Sequence, residues 1–133
     1  MTFLPITSLF AALLTLLLLV LSIRIIMIRG RERIGLGVGE SKPLETAVRI
    51  QANFIEYVPM ALLLLALVEL AGASPTLLYA CGGVLFLARI SHATGLTKTI
   101  GTSVYRAFGV VGTFAVLLFQ AAYLLGYFYG NVL

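Results

Sequence analysis

Charge is scarce in this chain. Only 11% of its 133 residues are charged and 61% are hydrophobic, more apolar surface than a water-soluble domain of this size could hide. Cysteine is nearly absent too: Cys81 stands alone, so no disulfide forms within one chain, and its place inside an apolar run reads as small-residue packing. No basic residue precedes the first apolar run and no small-x-small cleavage pattern follows it, so that run is read as a retained helix, not a signal peptide. Gly35, Gly37 and Gly39 match neither the GxGxxG nor the P-loop spacing and follow no strand, which speaks against a nucleotide loop. His92 has no second His or Cys at ligand spacing, so no metal site is expected. The net charge of +4 does not point to nucleic acid, because the basic residues adjoin or enter hydrophobic spans rather than covering a polar face.

What the chain has in abundance is apolar length. Four runs, about 6–28, 46–71, 75–96 and 104–129, are each near or above the roughly 20 residues that cross a bilayer as helix. The expected architecture is an all-α integral membrane protein, residues 1–133 forming a single four-helix membrane domain. The basic residues flank two connections: Arg24, Arg29, Arg31, Arg33, Lys42 and Arg49 about the first, and Arg89, Lys98 and Arg106 about the third. The N-terminal segment, the 72–74 turn and the C-terminal tail have none, so the positive-inside rule places both basic connections in the cytoplasm and both termini on the other side.

Punctuation supports these boundaries. Gly72 followed by Ser74-Pro75 offers a left-handed stop, then an N-cap and a first-turn proline, hence a tight hairpin of spans 2 and 3. Pro59 removes one backbone hydrogen bond inside span 2 and is expected to kink it. Tyr123, Tyr127, Phe128 and Tyr129 read as an interfacial aromatic belt.

The polar residues within the spans form a pattern. At 100° per residue, Asn53 lies about 40° from Arg49 and Glu56 about 20° to the other side, so the three share one face of span 2. Gln51 points nearly opposite. Span 3 adds Arg89 and His92 near its basic end, and span 4 adds Arg106 in its first turn. Charges at membrane depth generally face the bundle interior and pair. Read singly, Glu56 neutralises an arginine, Asn53 bonds across a helix interface, and Arg24, Lys98 and Arg106 snorkel to headgroups. Read together, Arg49, Arg89 and Arg106 outnumber the one carboxylate among them, an excess that suits an anionic ligand. Glu69, near the far end of span 2, has no basic neighbour in sequence and is expected to reach the outer interface.

These residues resemble the MAPEG family, the membrane-associated proteins in eicosanoid and glutathione metabolism. The resemblance rests on R49-x3-N53-x2-E56-x2-P59 in span 2, R89-x2-H92 closing span 3 and the pair Tyr105-Arg106 opening span 4, and it covers nearly the whole chain. It is nearest to the small bacterial inner-membrane branch. The family pattern implies a homotrimer with glutathione held between neighbouring protomers as co-substrate and a lipophilic substrate arriving from the lipid. Arg49, Asn53 and Glu56 are expected to hold the peptide, Arg89, His92 and Tyr105 to complete its site, and Arg106 to face the sulfur as the catalytic residue of a glutathione transferase or peroxidase. Two positions depart from enzymatic relatives: Ala52 replaces a basic residue, and Leu96 a tyrosine. The competing readings are a non-catalytic scaffold or lipid-binding protein on the same fold, and a small four-span transporter. The last needs a lone exchanging carboxylate, whereas Arg49 shares a face with Glu56 and is expected to pair with it.

Overall fold

The computed structural model describes residues 3–98 and 104–133 and contains four helices: α1 Pro5–Glu32, α2 Lys42–Leu70, α3 Pro75–Lys98 and α4 Val104–Val132. The third connection and the side chains of Leu96, Thr97 and Lys98 lie outside the described residues. All four helices are long and apolar enough to cross a membrane. At 29 residues, α2 extends about 43 Å, more than the hydrocarbon of a bilayer, and it continues as helix through Pro59.

Helix ends follow local chemistry. The Ser41 side chain accepts from the Leu44 amide at 3.2 Å and starts α2. Arg33, in the left-handed region at φ 58°, closes α1, and Arg29 holds the loop beyond by donating to the Gly37 carbonyl at 2.7 Å. The α2–α3 hairpin turns on Gly72 at φ 82°, a conformation that glycine adopts at no steric cost, and Ser74 accepts from the Leu77 amide to start α3.

The α2–α3 hairpin is the centre of the bundle. Helix α1 packs on α2 and α3, and α4 packs on the same two helices. Residues at three- and four-residue spacing along α2, from Leu44 through Phe54 and Val58 to Leu65 and Val68, are buried, while Ile26, Met27, Leu63 and Leu118 are among the exposed apolar side chains. Since lipid is as apolar as these side chains, contact quality rather than the hydrophobic effect holds the helices together. Two glycines set that contact: a Cβ on Gly82 would overlap the Phe10 ring, and one on Gly109 would sit 2.8 Å from the Ala88 carbonyl and overlap His92.

Glu69 has a partner that the sequence reading did not give it. Helix α1 has no side-chain cap of its own, and the Glu69 carboxylate supplies one from α2. It accepts from the Thr7 amide at 2.8 Å, the Thr7 hydroxyl at 2.6 Å and the Ile6 amide at 3.1 Å. Orphan amides and the positive end of the helix dipole explain why a carboxylate settles there. On the same α1–α2 interface, Gln51 donates to Ser22 at 2.7 Å, consistent with its pointing away from Arg49.

Candidate ligand-binding site

The first three turns of α2 place Lys42, Thr46, Arg49 and Asn53 at steps of four, three and four residues, one continuous helical face. With Glu45, His92 of α3 and Arg106 of α4, they line an open pocket of about 290 Å³ at the end of the bundle where α2 begins. Three cations and one carboxylate face it, and that carboxylate is engaged: Lys42 Nζ lies 3.1 Å from Glu45 Oε2. The cup is net positive.

Arg89 lies below the pocket, 2% exposed. Its Nη2 donates to Asn53 Oδ1 at 2.7 Å, its Nη1 reaches Thr113 Oγ1 at 3.5 Å, and His92 Nδ1 stands 3.5 Å from Nη2. The Phe54 ring centroid is 5.8 Å from the guanidinium carbon, a cation–π distance. Among the described residues no carboxylate pairs with this guanidinium, and its Nε has no acceptor. An arginine only donates, so the atom of Asn53 that meets it is the oxygen. Asn53 keeps its N–H donors for whatever enters the pocket it lines. Thr113 is held in turn, donating to the Gly109 carbonyl at 2.7 Å, and Gly109 packs against Ala88 and His92 of α3 with no room for a Cβ.

The structure thus gathers Arg49, Asn53, His92 and Arg106 around one pocket and sets Arg89 behind Asn53. It places two other sequence-assigned residues elsewhere. Tyr105 lines a separate groove between α3 and α4, with Ile90 and Phe108, because one residue along a helix is a turn of 100° and its neighbour Arg106 faces the pocket. The Tyr105 carbonyl accepts from Ser91 Oγ at 2.7 Å, tying the two helices together. Glu56 is exposed on the outside of α2 and does not line the pocket. The expected pairing of Arg49 with Glu56 is also absent: both are exposed and neither has an ion-pair partner among the described residues. Seven residues separate them by about 10 Å along the axis, which a shared face does not shorten. Conversely, Lys42 and Thr46 were not singled out in the sequence, although continuing the Arg49–Asn53 periodicity one and two turns back reaches both.

The four-span bundle with a basic, asparagine-bearing pocket at one end defines an integral membrane protein of helix-bundle type. The chain belongs to the MAPEG family, whose model matches residues 7–126. It is 32% identical over 113 residues to the inner membrane protein YecN of Escherichia coli (strain K12), the match covering 85% of each chain. The YecN of Escherichia coli O6:H1 (strain CFT073) matches to the same extent. No solved structure matches. Family, relatives and four spanning helices together make this a multi-pass inner-membrane protein.

Proposed function

We propose that the protein is a homotrimer that binds glutathione in this pocket and activates its thiol for reaction with a lipophilic electrophile or hydroperoxide. The observation that carries the reading is the convergence of Arg49, Asn53 and Arg106, from two helices, on one net-positive cup. Glutathione is a net-negative peptide with two carboxylates, an α-amino group and backbone amides. Arg49 takes a carboxylate, the Asn53 N–H donors take a peptide or carboxylate oxygen, and Arg106 faces the sulfur. Lowering a thiol from about 8.5 by two units needs about 2.7 kcal/mol of preference for the thiolate. One partly desolvated guanidinium can supply that.

Glu56 supports the trimer. It sits about 21 Å along a helix of about 43 Å, at membrane depth, where an uncovered carboxylate is costly by a few kcal/mol. A second protomer seated on this face removes the cost and brings Glu56 to the ligand's ammonium group. By the positive-inside rule the pocket opens to the cytoplasm, with both termini on the other side.

A second reading, a non-catalytic scaffold holding an anionic lipid, draws on the distance of Glu56 from the pocket: without a neighbouring copy, only anion recognition remains. Ultraviolet difference titration of glutathione into the solubilised protein separates the two. Saturable thiolate absorbance that vanishes in Arg106→Ala supports an activated nucleophile. Absence of both thiolate and binding, with the oligomer intact, sinks the glutathione reading.

A further inference from the structure

His92 is the chain's one histidine. It is 2% exposed, and it lines the cup between α2 and α4. Arg89 meets its ring from below, with Nη2 standing 3.5 Å from His92 Nδ1. A guanidinium nitrogen only donates, so this contact is a hydrogen bond only when Nδ1 carries a lone pair. A ring protonated at Nδ1, whether cationic or in the other neutral form, sets N–H against N–H. The proton therefore sits on Nε2, at the edge of the ring away from Arg89.

The backbone around the ring is fixed as well. Gly109 of α4 packs against His92 with no room for a Cβ. Arg106 lies one turn before Gly109 on the same side of α4, since residues three apart on a helix are neighbours. His92 and Arg106 thus enter the cup within a turn of each other, from α3 and from α4.

The orienting partner of His92 has the opposite sign to that of a general base. In a general base, a carboxylate or carbonyl accepts from one ring nitrogen and leaves the other with a lone pair for the substrate. Here the partner is a cation that donates. The charged groups facing the cup are Lys42, Glu45 and Arg49 of α2 and Arg106 of α4, with Arg89 beneath. Glu45 is engaged by Lys42, and among the described residues no carboxylate pairs with the ring.

We infer that Arg89 is a positioning residue that holds His92 as a hydrogen-bond donor, and that His92 Nε2–H meets the glutathione sulfur beside Arg106, stabilising the thiolate without taking its proton. This rests on the glutathione reading given above. The thiol proton passes to solvent, the Nε2 proton stays on the ring, and no bond other than S–H breaks.

The first test needs no ligand. Nitrogen-15 labelling of histidine in protein without a histidine tag gives the ring nitrogens of His92 alone. At neutral pH, Nε2 is expected to be protonated and Nδ1 unprotonated and hydrogen-bonded. In Arg89→Met, Nδ1 loses its donor and its resonance moves to that of a free lone pair. A doubly protonated ring, a proton on Nδ1, or a spectrum indifferent to Arg89→Met overturns the inference.

The second test follows the thiolate absorbance of bound glutathione against pH. His92→Phe, which keeps a ring but removes the donor, is expected to raise the midpoint by about one unit. His92→Gln, whose side-chain amide also donates, recovers most of that shift. A readout in the unsubstituted protein is independent of how these variants fold: glutathione moves the Nε2 resonance, and S-methylglutathione, which has no thiolate, leaves it in place. Equal shifts by the two peptides overturn the inference. Absence of glutathione binding to the unsubstituted protein overturns the glutathione reading and this inference with it, whereas binding with a midpoint unmoved by His92→Phe overturns this inference alone.

Discussion

The guanidinium of Arg89 on α3 holds the side-chain oxygen of Asn53 on α2 at 2.7 Å. It is a buried cation whose nearest acceptor is a neutral amide. Removing the closest acceptor of a buried charge costs more than removing the charge itself. Asn53→Ala is therefore expected to destabilise the protein by about 2–3 kcal/mol. Arg89→Met, which fills similar volume without charge, is expected to be neutral or stabilising. In the double variant most of the Asn53→Ala loss is recovered. Thermal unfolding of the four proteins in one detergent checks this cycle, and equal losses for Asn53→Ala with and without Arg89 would overturn it.

The same contact predicts a separation of stability from binding. Without Arg89, the Asn53 amide is free to turn, and its donors are no longer presented to the pocket. Arg89→Met is expected to weaken glutathione about ten-fold, one charged hydrogen bond's worth of orientation, without lowering the melting temperature. Isothermal titration beside thermal unfolding measures both.

Tyr105 and Arg106 are neighbours in sequence on different grooves. Tyr105→Phe keeps the backbone carbonyl that Ser91 uses and is expected to leave glutathione affinity within two-fold of the parent, a shift of about 0.4 kcal/mol or less. Arg106→Ala abolishes the thiolate signal. A thiolate signal lost equally in both variants would return Tyr105 to the site.

Gly109 sets the α3–α4 spacing that brings Thr113 to Arg89. Gly109→Ala puts a methyl group against His92 and the Ala88 carbonyl. Overpacking of this kind costs about 1–3 kcal/mol. The expected outcome is a lower melting temperature together with weaker ligand binding, because His92 lines the pocket. Gly126→Ala, where a Cβ meets nothing, serves as the control and is expected to be neutral or slightly stabilising.

Glu69 ties the start of α1 to the end of α2. Glu69→Ala leaves the Ile6 and Thr7 amides without their acceptor, a cap loss of about 1–2 kcal/mol. Hydrogen exchange should rise at Ile6 and Thr7 and stay unchanged across the α2–α3 hairpin. Unchanged protection at both amides would show the cap to be dispensable.

Neighbours along the chain dictate the local part of this fold. Apolar length makes four membrane-crossing helices, Gly72 and Ser74-Pro75 make the hairpin, and 100° per residue puts Arg49 and Asn53 on one face. Those properties come from backbone sterics, capping and transfer free energy, which act within a few residues. The same periodicity also put Glu56 on that face and suggested its pairing with Arg49, but a face has length. Which of these groups meet depends on how the helices pack. The rotation of α3 and α4 about their axes turned Arg89 inward to Asn53, Arg106 to the pocket and Tyr105 away from it. Gly109, which lets α4 approach the Ala88 carbonyl of α3, and Gly82, which admits the Phe10 ring of α1, hold that arrangement. The capping of α1 by Glu69 and the clasp of Gln51 on Ser22 join residues far apart in sequence, where no local propensity reaches.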